Sequence, residues 1–145
     1  MNQKKDPLGK YISTIYRHSM MYANDCLKPF NMSAGQLSFL LVLFEHNGIT
    51  QEWLSKYLSI DKSTTAKAIK LLEQNGYITK KISKQDKRAY NVYFTDKAAL
   101  IREQIRKLAF KGDNDILLKG FSDKEKEAAY DMLKRMAQNA GTYKV

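Results

Sequence analysis

Apolar residues recur at intervals of three and four over most of this chain, and that interval places them along one face of an α-helix. The first such stretch predicts an amphipathic helix from Asp6 to Lys28. Asp6 is expected to cap this helix, Pro7 suits its first turn, and Pro29 follows its end. A long amphipathic helix is therefore the first predicted element.

A second helix is indicated by Ser33 and Gln36, which have the spacing of a capping box, and by the apolar run Phe39–Phe44 behind them. In such a box the serine oxygen accepts an otherwise unpaired amide hydrogen, and the glutamine side chain bonds back to the cap. The helix should be largely buried and should end near His46, just before Gly48.

Two shorter helices follow, each with a side chain suited to cap its start. Thr50 can cap a third helix that ends at Leu58, and Asp61 can cap a fourth that runs to Gly76. Because so short a turn separates them, the pair has the arrangement of a helix-turn-helix. The residues expected on the inner faces are Trp53, Leu54, Tyr57 and Leu58 in the third helix and Thr65, Ala68, Ile69 and Leu72 in the fourth.

After Gly76 the pattern changes from helical to alternating. The stretches Tyr77–Ile82 and Ala89–Phe94 are rich in β-branched and aromatic residues, with the polar sequence SKQDKR between them. They predict a β-hairpin with a basic tip, and a hairpin directly after a helix-turn-helix makes the motif a winged one.

Two further amphipathic helices are predicted in the C-terminal part of the chain. Thr95 can cap the fifth helix, and Ser122 with Glu125 forms a second capping box at the start of the sixth. Gly112 and the polar residues after it mark a break or kink between them. The residues that share an apolar face are Ile101, Ile105 and Leu108 in the fifth helix and Ala129, Met132, Leu133, Met136 and Ala140 in the sixth.

Length and composition agree with a single folded chain of the cytoplasm. The sequence has 145 residues, 43% of them hydrophobic and 28% charged. No apolar run approaches the roughly 20 residues that span a bilayer, and MNQKKDPLGK has no secretory apolar region. The single cysteine, Cys26, is expected to be a small buried hydrophobe, and a reactive thiol is the alternative. Without a cluster of cysteines or histidines or a glycine-rich phosphate loop, we expect no metal site, no cofactor and no enzyme activity.

The net charge of +10 is unevenly distributed. Residues 61–90 hold eight basic side chains against three acidic ones, which is half of the surplus. A polyanion is the natural partner of such a segment because neutralised phosphates release counterions. A solvated lysine-rich face that serves solubility is the alternative on charge alone, and the winged motif favours DNA over it.

In a winged helix-turn-helix the second helix of the pair enters the major groove, where hydroxyl and ammonium groups contact phosphates and base edges. The small Ala66 can approach a thymine methyl. Arg88 in the hairpin tip can enter the minor groove. Asp86 either orients its guanidinium through a charge-assisted hydrogen bond or serves turn geometry alone. The candidate DNA-binding residues are Gln36, Lys62, Ser63, Thr64, Ala66, Lys67, Lys70, Lys84, Asp86, Lys87 and Arg88.

Together these pieces resemble the MarR family of winged-helix transcription regulators over nearly the whole chain. The matching segments are Ser33-x-x-Gln36, Ile49-Thr50-Gln51, Asp61-Lys-Ser-Thr-Thr, Leu72-Glu73-x-x-Gly76-Tyr77-Ile78, and Asp86-x-Arg88 followed by Phe94-Thr95. The resemblance implies a mainly α fold, with residues 31–96 as the winged DNA-binding domain and residues 1–30 and 97–145 as a helical dimerisation region. It also implies a homodimer that binds a pseudo-palindromic operator in double-stranded DNA and represses transcription.

The terminal helices themselves point to a homodimer, because their apolar faces exceed what one winged domain can cover. The alternative is that these helices pack only on their own domain. The expected interface residues are Ile12, Ile15, Ile105, Leu108, Met132, Leu133 and Met136. The resemblance further implies a small aromatic or anionic effector. Its expected contacts are Tyr16, Arg17, His18 and Tyr22, for which a surface arginine and packed tyrosines are the alternative.

A second class of function stays open at this point. The same basic winged domain could serve an RNA-binding or architectural module without sequence specificity. A requirement for two half-sites about one helical turn apart would distinguish a regulator from such a module.

Overall fold

A computed structural model describes residues 5–141 as a mainly helical chain with one small sheet. The chain forms two compact units, of which the first ends at Ala109 and the second starts at Phe110. In order, the elements are α1 (Leu8–Leu27), a 3₁₀ turn (Lys28–Phe30), α2 (Ala34–Glu45), β1 (Ile49–Thr50), α3 (Gln51–Leu58), α4 (Lys62–Gln74), β2 (Ile78–Ile82), β3 (Tyr90–Phe94), α5 (Asp96–Gly112), a π-helical turn (Asp113–Leu117) and α6 (Asp123–Gly141).

The boundary between the units differs from the expected domain limits. The first unit contains α1 and most of α5 in addition to residues 31–96, so these terminal helices cluster with the winged domain. The outermost residues of the expected dimerisation region, 1–4 and 142–145, lie outside the described range.

The predicted caps of the short helices are confirmed. Ser33 Oγ accepts the Gln36 amide hydrogen while Gln36 Oε1 accepts that of Ser33, which is the reciprocal capping box. Thr50 Oγ1 accepts the Trp53 amide hydrogen at 3.1 Å and caps α3. Asp6, in contrast, does not cap α1, which begins after Pro7. Its carboxylate instead pairs with Lys10 at 2.8 Å.

The predicted hairpin is confirmed as β2 paired antiparallel with β3, and a third strand joins it. Ile78 lies opposite Phe94 and Ile82 opposite Tyr90. The two residues of β1 pair with the other edge of β3. Strand β1 was not predicted, because two residues are too few to show an alternating pattern.

The core of the first unit forms where α2, α4 and the sheet meet. Leu40, Leu43, Leu54 and Ile69 are fully buried there, and the other predicted inner residues of α4 are buried too. Two expectations for α3 are wrong: Trp53 and Tyr57 lie on the surface, with exposed fractions of 38% and 53%. They stack on each other with ring centroids 4.7 Å apart. Helical spacing alone does not distinguish such a surface stack from a core stripe.

The second unit is built from the π-helical turn and α6. The break predicted after Gly112 occurs as this turn, and the second capping box is confirmed by reciprocal bonds between Ser122 and Glu125. The Tyr130 hydroxyl lies 3.2 Å from an Asp113 carboxylate oxygen and ties α6 to the turn. Among the residues described, no helix is long and apolar enough to cross a membrane.

Candidate nucleic-acid interface

The start of α4 is fastened by Asp61, whose carboxylate makes two hydrogen bonds to one residue. Asp61 Oδ1 accepts the Thr64 amide hydrogen at 2.8 Å, and Oδ2 accepts the Thr64 hydroxyl hydrogen at 2.7 Å. These bonds hold the pKa of Asp61 below its ordinary value because they stabilise the ionised form. The Thr64 hydroxyl is therefore engaged as a donor in the cap, although its side chain is exposed.

The turn between α3 and α4 sets the direction of α4. Ser59 adopts a left-handed conformation with φ of 54°, a region that residues other than glycine seldom occupy. The buried Ser55 donates its hydroxyl hydrogen to the Ile60 carbonyl oxygen at 2.6 Å and holds this turn. With Thr65 and Ile69 packed in the core, the opposite face of α4 has to point outward.

That outward face is basic. The lysines and small polar residues predicted to contact DNA are all exposed along one side of α4. They are Lys62, Ser63, Thr64, Ala66, Lys67 and Lys70.

Helix α4 passes into the wing through a tight reversal at Gly76. This glycine has φ of 77°, and the Gly76 and Tyr77 amides donate to the carbonyl oxygens of Glu73 and Leu72. Both bonds belong to a Schellman motif, which needs a left-handed residue at this place. The short connection keeps β2 beside α4, where Lys80 Nζ lies 3.9 Å from a Glu73 carboxylate oxygen.

The tip of the wing is an ordered turn. The Ser83 amide donates to the Ala89 carbonyl oxygen, and Ser83 Oγ accepts the Gln85 and Asp86 amide hydrogens. Asp86 Oδ1 accepts the backbone amide hydrogen of Arg88 at 2.9 Å. The proposed bond from Asp86 to the Arg88 guanidinium is thus corrected: the carboxylate shapes the turn. Lys84, Asp86, Lys87 and Arg88 are all exposed at the tip.

Gln36 differs from the other candidate DNA contacts. Only 8% of it is exposed, and its Oε1 is bonded to the Ser33 amide. The structure therefore places it in the cap of α2 rather than on the basic face, which removes it from the candidate set.

The effector candidates lie along α1. Tyr16, Arg17 and His18 are exposed, and Tyr22 is half-buried. Arg17 Nη2 lies 3.5 Å from Thr14 Oγ1. A cleft of about 630 Å³ opens elsewhere, and none of these four residues lines it. Its walls are Asn24, Lys28, Asn31, Met32, Ser33, Gln36, Leu71 and Asn75.

The dimer candidates fall into three groups by burial. Ile105 is 1% exposed in the core of the first unit, so its assignment to a dimer interface is wrong. Leu108 is half-buried. The remaining candidates are exposed apolar side chains on α1 and α6, namely Ile12, Ile15, Met132, Leu133 and Met136. Cys26 is likewise half-buried rather than buried.

Comparison with known proteins decides the family. The sequence model of the MarR family matches residues 32–90. The chain is 30% identical over 128 residues to an uncharacterised HTH-type transcriptional regulator, YybA of Bacillus subtilis strain 168, covering 88% of this chain and 85% of the relative. A MarR transcriptional regulator from Methanosarcina mazei Go1 has a similar structure, with a TM-score of 0.87, 36% identity and coverage of 92% of this chain and 95% of that one. The chain belongs to the MarR family.

One solved structure of a MarR-family protein contains DNA, which is relevant to the basic face of α4. A MarR-family regulator from Listeria monocytogenes, solved in complex with 26-mer DNA, matches with a TM-score of 0.82 and 34% identity. The match covers 94% of this chain and 90% of that one. This chain is thus a transcription regulator of a family that includes a member solved with DNA bound.

Proposed function

We propose that this protein is a homodimeric regulator that binds a pseudo-palindromic operator and represses transcription by occupying it. The observation that carries the proposal is the exposed basic face of α4 beside the ordered basic tip of the wing. Such a helix can lie in the major groove while the tip reaches the neighbouring minor groove. The Listeria relative solved with DNA supports DNA as the partner.

The homodimer rests on the uncovered apolar residues of the terminal helices. Leu133 and Met132 of α6 are about half exposed, at 50% and 53%, and Ile12 of α1 is 49% exposed. Apolar side chains that form an exposed patch on a helix are costly in water unless another surface covers them. A second copy of the chain covers them by two-fold symmetry and presents two α4 helices to two half-sites.

Selection of bound duplexes from a random DNA pool, followed by footprinting, tests this function. We expect two inverted half-sites with centres about 10 base pairs apart, because that spacing places both major grooves on one side of the duplex. Equal affinity for all duplexes, or a preference for RNA, would instead favour the architectural or RNA-binding module.

Repression has its own test. Transcription in vitro from a promoter that overlaps the selected operator should fall as the protein is added, and a promoter with one half-site scrambled should be unaffected. Increased transcription would contradict repression without touching DNA binding.

Release by a small aromatic or anionic effector is the final part of the proposal. Arg17 offers a cation on α1, close in sequence to Tyr16 and His18. A phenolic acid should weaken operator binding by the wild-type protein and should have less effect on Arg17→Ala. No change with any phenolic acid would remove this part alone.

A further inference from the structure

The wing carries an apolar pair that the core leaves uncovered. Ile82 and Tyr90 are directly opposite each other at the distal end of the β2–β3 ladder. They are 61% and 53% exposed. The preceding pair on the same side of the hairpin includes Val92, which is completely buried. The core-facing side of the hairpin therefore continues beyond the core by one apolar pair.

The direction of this pair follows from strand alternation. Residues two apart on a strand share a side, so Ile82 lies on the same side as Lys80 and Ile78. Lys80 from that side reaches Glu73 of α4, and Ile78 is 2% exposed in the core. Ile82 is about 7 Å further along the strand than Lys80. The pair thus occupies the side of the wing that adjoins α4, between that helix and the tip.

The charges around the pair indicate what covers it. The basic residues of the hairpin around Ile82 and Tyr90 are Lys80, Lys84, Lys87 and Arg88, whereas Lys81 lies on the other side of the hairpin over the Tyr93 ring. The nearest acidic side chains are already engaged, Glu73 by Lys80 and Asp86 by the Arg88 amide. An apolar pair within a basic rim matches the DNA backbone, where deoxyribose carbons alternate with phosphates.

We propose that Ile82 and Tyr90 pack against deoxyribose at the edge of the groove that the wing tip enters, and so position the wing on the operator. This inference rests on the proposed DNA-binding function. It assigns the wing two kinds of contact: an ionic one from the tip and an apolar one from this pair.

The two kinds of contact respond differently to salt. An ionic contact releases counterions, so its loss makes the plot of log K against log salt shallower. An apolar contact with deoxyribose releases none. Its loss should lower the affinity by the same factor at every salt concentration and leave the slope unchanged.

The experiment is a fluorescence-anisotropy titration of the selected operator at several salt concentrations. Ile82→Thr keeps a β-branched residue in the strand, so the hairpin should be retained, and thermal unfolding of each variant checks this. We expect Ile82→Thr to bind the operator about tenfold more weakly, because it loses a partly buried side-chain contact. Its plot of log K against log salt should run parallel to that of the wild type. Tyr90→Thr should behave alike, and Tyr90→Phe should retain most of the affinity because the ring makes the contact.

Two control variants complete the design. Lys87→Ala at the tip should give a shallower line. Leu41→Ser removes an apolar side chain that is 39% exposed on α2 in the same unit, outside the terminal helices, and should give the wild-type line. The inference would be overturned if the folded variants Ile82→Thr and Tyr90→Thr both bind with wild-type affinity, or if their salt slope changes. Either result would leave the proposed DNA binding intact. Failure of the wild type to bind duplex DNA would overturn the proposed function and this inference with it.

Discussion

Helices α4 and α6 are both amphipathic in sequence, yet the apolar face of α4 is buried and that of α6 is exposed. In α4 the residues Thr65, Ala68, Ile69 and Leu72 are all at least nine-tenths buried. In α6 none of the residues is buried, and Leu133 is half exposed. An apolar stripe in the sequence therefore marks one face of a helix, whereas the tertiary structure decides whether the same chain covers that face.

The polar faces differ as well. Between its cap and its last turn, the exposed face of α4 has lysines and hydroxyl groups, with Glu73 as the acidic exception at the end. The exposed face of α6 alternates acidic and basic residues, among them an ion pair between Arg135 and Asp131. A face of one sign attracts a polyanion, and a face of mixed sign does not. The two helices thus have the surfaces expected of a DNA-binding and an assembly element.

The largest effect is expected in the covered stripe of α4. Ile69→Ala should lower the free energy of unfolding by about 2–5 kcal/mol, because it leaves a cavity at a completely buried site. Leu133→Ala serves as the comparison and should leave the unfolding of the first unit unchanged. Urea denaturation followed by the fluorescence of Trp53, which lies in that unit, measures both. Equal losses would show that the two stripes do not differ.

The uncovered stripe of α6 should control assembly. Leu133→Asp should convert a dimer into a monomer at micromolar concentration, because it places an unpaired charge in an apolar seam. Gln138→Asp adds the same charge to an exposed position on the other side of α6 and should remain dimeric. Sedimentation velocity distinguishes the two. A wild-type protein that sediments as a monomer would refute the proposed dimer.

The polar faces can be compared through the salt dependence of operator binding. Lys70→Ala should make the slope of log K against log salt shallower by about 1.8, since a dimer loses two phosphate contacts worth about 0.9 each. Lys134→Ala on α6 should leave the slope unchanged. An unchanged slope for Lys70→Ala would mean that this lysine contacts no phosphate.

Substitutions at the wing tip distinguish a minor-groove contact of Arg88 from an ordinary phosphate contact. Arg88→Lys keeps the charge but is more strongly hydrated, so it should lose affinity chiefly for operators with A·T-rich, narrow-grooved flanks. Asp86→Asn retains an oxygen for the Arg88 amide and should bind nearly as the wild type, whereas Asp86→Ala should show a milder form of the Arg88→Lys loss. Titrations on operators that differ only in their flanks measure this. Equal losses on both flanks would make Arg88 an ordinary phosphate contact.

The smallest effect concerns the cap of α4 and its pH dependence. Because the pKa of Asp61 is lowered in the folded protein, its ionised form adds stability above the unfolded pKa, and this is lost as pH falls through the folded pKa. Asp61→Asn keeps a capping oxygen but has no charge. It should be less stable than the wild type at pH 7, and the difference should be smaller at about pH 3, because it is lost as pH falls from the unfolded pKa of about 4 through the lowered folded pKa. Urea midpoints at both pH values measure it, and a constant difference would contradict this assignment.

Local signals predicted most of the first unit correctly. The inner face of α4 was predictable because three local signals indicate the same helix. Asp61 marks its start, the helical spacing of apolar residues marks its inner face, and Gly76 marks its end. Trp53 and Tyr57 were assigned wrongly because their spacing also fits the core side of α3. Ile105 was assigned to a dimer seam, but residues distant in sequence enclose it in the core.

The candidate nucleic-acid interface also combines features that the sequence predicted with features that it did not. The sequence alone determined that a basic helix and a basic hairpin follow each other, because charge and period are local properties of the chain. Only the tertiary structure decided that Asp86 bonds to the Arg88 backbone, that Gln36 is buried in a cap and that Ile82 with Tyr90 extends beyond the core. Those outcomes depend on which distant segments supply neighbours and on where the core ends, and neither is encoded in the spacing of residues along one segment.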